Sequence, residues 1–321
     1  MQDMELEDTG SRTANLVETD TLAILGCGAL GTSILLGLLS AIEGQSPSAQ
    51  NANQSCDDVL PQQFVACVRR ELAADLIRRS ISKTGKNERP DVDVKVRANV
   101  EGIRKAGIVV LAVQPHLLRQ LFQEPGVVAA LQGKLVVSVM AGVTVQDIKA
   151  GLTESTASLT AAEKRDPLIV RVMPNINCFV RQSTTVIERG SVEEDVLRIV
   201  SHLFECVGKV FFTEPSTMDA CTALCGSSPA FFTVVLEALV DGAISTGLEA
   251  DEALQMAAHA MMGTASLVQH GWQPTKLRHG VTSPGGSTIQ GVLKLEEDRV
   301  RWSFAKALEV AAGAAAKLGS K

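Results

Sequence analysis

Apolar residues are distributed along the chain in two textures. In the first half they form short continuous runs: Leu22-Ala23-Ile24-Leu25, Phe64-Val65-Ala66-Cys67-Val68, Ile108 to Val113, Leu135 to Val139 and Leu168 to Met173. Runs of this length bounded by turn-forming residues predict strands covered on both faces, the condition of a parallel sheet flanked by helices. From about Ser191 the pattern becomes helical. Val192 to Val207 is amphipathic, and Met218 to Leu224 reads as a second helix broken by Gly226-Ser227-Ser228-Pro229. Ala230 to Thr246 is apolar nearly all round, and Asp251 to Gln269 is rich in Ala and Met. Helices apolar on every face need more cover than one small domain supplies, so they predict a dimer whose helical halves wrap each other. The expected architecture is α/β: a doubly wound parallel sheet over residues 21–189, then an all-α dimerisation domain over 190–321.

Composition narrows the partners. The 321 residues suffice for two cores, and 45% of them are hydrophobic. A net charge of −6 with dispersed Lys and Arg argues against nucleic acid, and the lack of Tyr removes one kind of stacking platform. Seven cysteines, at 27, 56, 67, 178, 206, 221 and 225, form no C-x-x-C pair and no metal-ligand spacing with the five histidines. They read as free thiols in a reducing compartment, with no metal site. Residues 1–20 carry six acids against Arg12 and read as a solvated tail without a secretory or mitochondrial signal, which places the protein in the cytoplasm. Ala230 to Ile244, interrupted by Glu237 and Asp241, reads as a buried helix too short for a bilayer, so no membrane is expected.

The first strand runs into Gly26-Cys27-Gly28-Ala29-Leu30-Gly31 and then an apolar helix. Strand, G-x-G-x-x-G, helix is the context of a dinucleotide fingerprint, with a glycine for the tight turn, one for pyrophosphate approach and one for helix–sheet packing. A purely structural glycine turn has the same spelling. The second strand ends in Arg69-Arg70, with no acid before Glu71. A guanidinium there pairs with the 2′-phosphate of NADPH, whereas an acid would select NADH, so NADPH is expected; the alternative is that one or both arginines, Arg70 first, merely face solvent on the next helix. Asn99 approaches the adenosine side, and Ala112, Val113, Pro115 and Ala141 stand where strand ends would line the nicotinamide crevice. Pro174 should stop the strand before it and leave Asn175 at the same edge. Polar insertions at 45–63 and 153–167 separate these strands.

Late in the chain, Val281-Thr282-Ser283-Pro284-Gly285-Gly286-Ser287-Thr288-Ile289 puts hydroxyls, glycines and one proline in front of a new helical pattern. Glycine N–H groups turned to one side and an uncapped helix start would make a pocket for a carboxylate. A Gly-rich αα turn with a Ser/Thr cap fits the same residues.

The ordered blocks resemble those of pyrroline-5-carboxylate reductases over roughly Leu22 to Leu318. They are Gly26-x-Gly28-x-x-Gly31, Leu111-Ala112-Val113-Gln114-Pro115, Ala141-Gly142-Val143, Arg171-Val172-Met173-Pro174-Asn175, Gly226-Ser227-Ser228-Pro229-Ala230-Phe231 and the 281–288 turn. The resemblance implies a Rossmann-type NAD(P) domain, a helical dimerisation domain, a homodimer or higher homo-oligomer, and a cyclic imine carboxylate as substrate. It also implies that Ser283, Gly286 and Ser287 hold the carboxylate and that the Thr288 hydroxyl touches the ring nitrogen, as the one catalytic side chain. Gln114, Ile176, Asn177, Arg181 to Ser183, Ser228 and Phe231 depart from the family pattern. A specialised reductase of another cyclic imine, a β-hydroxyacid-type dehydrogenase with a catalytic Lys, and a non-catalytic NADPH-binding module are the alternatives.

Overall fold

The computed structural model describes residues 20–44, 60–82, 90–155, 160, 164–190 and 192–319. The acidic tail up to residue 19, Cys56, most of the insertion at 45–63 and part of that at 153–167 lie outside the described residues. The chain divides into two compact units, Met1–Gly226 with Ala312–Lys321, and Ser227–Ala311.

The first unit is a single eight-stranded sheet. Its strands are β1 (Thr21–Leu25), β2 (Gln63–Val68), β3 (Asp91–Val96), β4 (Ile108–Leu111), β5 (Leu135–Ser138), β6 (Leu168–Met173), β7 (Ser183–Glu188) and β8 (Gly208–Thr213). Their spatial order is 3-2-1-4-5-6-7-8. β1 to β6 are parallel, β7 runs antiparallel to β6, and β8 lies parallel to β7. The five apolar runs are β1, β2, β4, β5 and β6, as expected. Leu22, Ala23, Val109, Val110, Leu111, Leu135 and Val137 are fully buried. One core packs α1 (Ala29–Ile42) and α7 (Glu194–Glu205) on one face of the sheet. A second core packs α3 (Asn99–Lys105), α4 (Leu118–Gln123), α5 (Val127–Leu131) and α6 (Val145–Ser155) on the other face. The short helix α2 (Glu71–Ser82) follows β2 and buries only Ala74 and Ile77.

Three strands were not expected, and the domain boundary moves with them. The helical texture read from residue 190 begins correctly with α7, but β8 then returns to the sheet. The first unit therefore runs to Gly226 and also takes back the chain's last residues. The sequence hid this because β8 alternates half-buried and exposed positions at the sheet edge instead of forming an apolar run.

The second correction concerns the break expected at Gly226 to Pro229. α8 (Met218–Cys221) passes through a π-helical turn, Thr222–Ser227, directly into α9 (Ser228–Ser245). Pro229 stands in the first turn of α9, where its missing N–H costs nothing. The continuous helical run, Pro215–Ser245, is 31 residues long, and by length and composition alone it could cross a membrane. The expectation of a segment too short to span is thus overturned. No residue of α9 is buried within the chain, and the expected cover is a second copy.

The second unit is all helical, with α9 joined by α10 (Ala250–Gln269), α11 (Pro274–Gly280), α12 (Ser287–Glu297) and most of α13 (Val300–Ala315).

Candidate active site

The glycine loop between β1 and α1 is held by the sheet. Gly26 has φ +80, and the N–H groups of Gly26 and Cys27 both donate to the Cys67 carbonyl at 3.1 Å. A Cβ at Gly26 would lie 2.7 Å from the Val113 backbone, and one at Gly31 would lie 3.1 Å from Ile24 and 3.4 Å from Ala112. Ala112 and Val113 therefore pack directly on the loop. At Gly28 the nearest atom to such a Cβ is 3.9 Å away, so this face of the loop is open. Gly28 caps α1 without a side-chain hydrogen bond, which leaves the first-turn N–H groups and the positive helix end for an anion. These features fit a dinucleotide pyrophosphate.

Parallel register lines up the rest of this edge. Leu25 pairs with Cys67 and Leu111, Leu111 with Ser138, and Val68 with Val96. The residues that follow these strands emerge on one side. They include Arg69 and Arg70, both exposed, and Asn99 at the start of α3, whose Nδ2 donates to Glu124 at 2.8 Å. Pro115 opens a short 3-10 turn beyond β4. Sequence reasoning missed one residue of this edge, Arg97, which leaves β3 with φ 53 and an exposed side chain. The strict alternation Asp91-Val92-Asp93-Val94-Lys95-Val96 was the signal that could have located it.

Asn175 follows β6 but faces inward, only 5% exposed. Its N–H donates to Ser183 Oγ at 3.1 Å and its Nδ2 to the Cys225 carbonyl at 2.9 Å, while its Oδ1 accepts from the Asn177 N–H at 3.0 Å. Its carboxamide is thus committed to joining β6, the 3-10 turn Ile176–Val180 and the π-helical turn. Ala141 packs on the same cluster with Met173, Val186, Met218 and Cys225. Beside it, Arg171 is buried with its guanidinium on Glu188 at 3.3 Å and Asp219 at 3.0 Å. Burial pushes the Glu188 carboxyl above its ordinary range, with Arg171 pulling it back.

No activated nucleophile stands at this edge. Burial pushes the Cys27 thiol up to about 11 and the Cys67 thiol up to about 12, far from thiolate formation at neutral pH. All five histidines are exposed. Of the lysines that a dehydrogenase would need, Lys294 pairs with Glu297 and Asp298, and Lys209 lies over the Phe211 ring.

In the second unit, the 281–288 segment is a tight turn at the start of α12. Gly285 has φ +67, and Gly286 N–H donates to the Ser283 carbonyl at 3.0 Å. The Ser283 hydroxyl lies close over Gly286, and a Cβ there would have to turn it aside. Gly286 caps α12 with no side-chain hydrogen bond, and Ser283, Ser287 and Thr288 are exposed. The Thr282 hydroxyl is spent on the His279 carbonyl at 3.0 Å. Uncapped donors beside exposed hydroxyls suit a carboxylate. Within its unit, however, this is an open turn and not the enclosed pocket that the sequence suggested. A shallow cavity of ≈ 220 Å³ lies beside it, lined by Arg278, His279, Thr282, Ile289, Val292, Leu293 and Glu296, and it shares only Thr282 with the turn.

Residues 215–318 match the family described as pyrroline-5-carboxylate reductase dimerisation, and residues 21–142 match NADP oxidoreductase coenzyme F420-dependent. The chain is 42% identical over 324 residues to a delta-1-pyrroline-5-carboxylate reductase of Curvularia clavata, covering 95% of this chain and 98% of that protein. It is 31% identical to the pyrroline-5-carboxylate reductase of Schizosaccharomyces pombe, over 92% of this chain and 98% of the relative. Its fold is that of the Plasmodium falciparum pyrroline carboxylate reductase solved with NADP bound. The TM-score is 0.71 at 22% identity, covering 93% of this chain and 98% of that one.

Proposed function

Because the chain belongs to the pyrroline-5-carboxylate reductase family, we propose that it reduces 1-pyrroline-5-carboxylate to L-proline with NADPH, as a cytoplasmic homodimer or a larger assembly of dimers. The observation that carries the reading is the 283–288 turn: exposed hydroxyls, Gly286 close beneath the Ser283 hydroxyl, and an uncapped helix start, in a family whose named members are pyrroline-5-carboxylate reductases.

Each group then has a task set by its chemistry. The Gly26–Gly31 loop and the start of α1 take the pyrophosphate, and Arg69 and Arg70 take the 2′-phosphate. NADPH bound there supplies the hydride. Ser283, Gly286 and Ser287 hold the substrate carboxylate through hydroxyl and backbone donors. The Thr288 hydroxyl hydrogen-bonds the ring nitrogen and orients the C=N carbon. A protonated imine is already electrophilic, so neither a metal nor a nucleophilic side chain is required. Ala112, Val113, Pro115 and Ala141 supply small apolar surface that excludes water from the crevice. Asn175 serves this edge by building the turn beyond β6.

Thr288→Ala is expected to lower kcat by about a hundredfold, in the range of a lost positioned proton partner, while NADPH affinity is unchanged. Steady-state kinetics with a parallel NADPH titration reads both. An unchanged kcat removes Thr288 from the mechanism.

A second reading, reduction of a different cyclic imine, is favoured by the departures Ile176, Asn177 and Ser228. Ile176 is half-exposed on the turn fixed by Asn175.

A further inference from the structure

Among the described residues, three that are not glycine hold a positive φ, and all are arginines: Arg97, Arg181 and Arg299. A left-handed backbone disfavours any side chain with a Cβ and persists where something over-determines it. Arg181 closes the 3-10 turn Ile176–Val180, and its Nε donates to the Cys206 carbonyl at 2.9 Å. Arg299 makes the bend between α12 and α13. Arg97 ends no helix and is exposed. Its N–H extends the ladder to the Val68 carbonyl at 2.9 Å, and its Nε donates to the Arg69 carbonyl at 3.3 Å.

These two bonds fold Arg97 across the end of β2, next to Arg69 and Arg70. None of the three guanidinium groups has a carboxylate partner among the described residues. The acids of this corner are engaged elsewhere: Glu71 and Asp75 with Arg78, and Asp93 and Glu101 with Lys95 and Lys105. Like charges brought to one strand end repel one another unless an anion joins them, and Arg97 is anchored on the Arg69 backbone with Arg70 next in the chain. The strained backbone secures no burial and no cap. It does bring a third arginine to the strand end where a doubly wound fold places the adenosine ribose.

We propose that Arg97 is a specificity residue of the coenzyme site, completing with Arg69 and Arg70 a cradle for the 2′-phosphate of NADPH. Its Nε is fixed on the Arg69 carbonyl, which leaves the terminal guanidinium nitrogens to donate to phosphate oxygens. This rests on the NADPH reading above, and the test separates the two.

Calorimetric titration of the full chain with 2′,5′-ADP and with 5′-ADP, with no imine present, reads the 2′-phosphate term without turnover. The unaltered protein should bind 2′,5′-ADP at least about tenfold more tightly than 5′-ADP, the scale of a charge-assisted hydrogen bond. Arg97→Gly should lose most of that ratio while its Tm holds or rises, because glycine accepts the left-handed backbone without strain. A merely structural residue would show the opposite. Arg97→Lys keeps the charge but not the fork and should recover only part of the ratio. A full ratio in both variants overturns the proposal. Equal binding of the two probes by the unaltered protein overturns the NADPH reading, and the proposal with it.

Discussion

The coenzyme edge and the hydroxyl turn differ in how much of each is finished within one chain. Around the glycine loop the Gly26 and Cys27 N–H groups are tied to the sheet, β1 and β4 are buried, and Asn175 and Arg171 carry internal partners on several sides. Around the 283–288 turn almost nothing is covered. α9, α11 and α12 bury no residue, and α10 buries only Ala253. Phe232, Leu239, Leu254, Met256, Met262 and Leu293 are left half-exposed or more. Large apolar faces of this kind mark an interface. The contrast teaches that the coenzyme half finds its cover within the chain, whereas the helical half, which matches a dimerisation family, leaves its apolar faces open to a second copy.

The largest expected effect breaks the helical side. Leu239→Glu combined with Leu254→Glu places two charges on surface that the account buries, at a cost of several kcal/mol. Sedimentation velocity should show monomers, and turnover should fall by orders of magnitude. A fully active dimer would mean that these helices face solvent. On the coenzyme side, Gly31→Val forces a branched side chain against Ile24, the Gly26 carbonyl and Ala112. Overpacking of this kind costs about 1–3 kcal/mol. NADPH binding should be lost while the dimer persists, which shows that the two regions fail separately. Loss of the dimer as well would deny the comparison.

The smallest effect concerns pH. Burial raises the Glu188 carboxyl, so the folded chain holds that proton more tightly than the unfolded chain does. Stability from this group is then full below the unfolded Glu pKa of about 4.3 and is lost as pH rises through the raised value. Glu188→Gln should flatten that part of the profile of urea midpoint against pH, and an unaltered slope would show that Glu188 does not titrate there.

What was legible in the sequence follows from the same contrast. β1, β2, β4, β5 and β6 are covered on both faces, so each is a continuous apolar run that announces itself. β3, β7 and β8 flank them. β3 alternates Asp, Val and Lys, and β8 exposes Phe211 and Phe212, with Lys209 and Arg189 lying over those rings. A search for apolar runs passes over such strands. The glycine loop's turn geometry was readable because it is local, whereas the 283–288 segment was legible as a turn but not as the open one it is within its unit. The place of Arg97 was not legible, because it depends on a backbone conformation and on the pairing of Val96 with Val68, across 28 residues of sequence. The inward turn of Asn175 likewise depends on the Cys225 carbonyl, 50 residues away.

The most direct test of the whole account is NADPH oxidation by the purified protein with 1-pyrroline-5-carboxylate, beside pyrroline-2-carboxylate and unsubstituted pyrroline. The account predicts rapid turnover on the first and little on the other two, since the turn at Ser283, Gly286 and Ser287 needs a carboxylate in that ring position. Negligible turnover on 1-pyrroline-5-carboxylate by protein that still binds NADPH would contradict it.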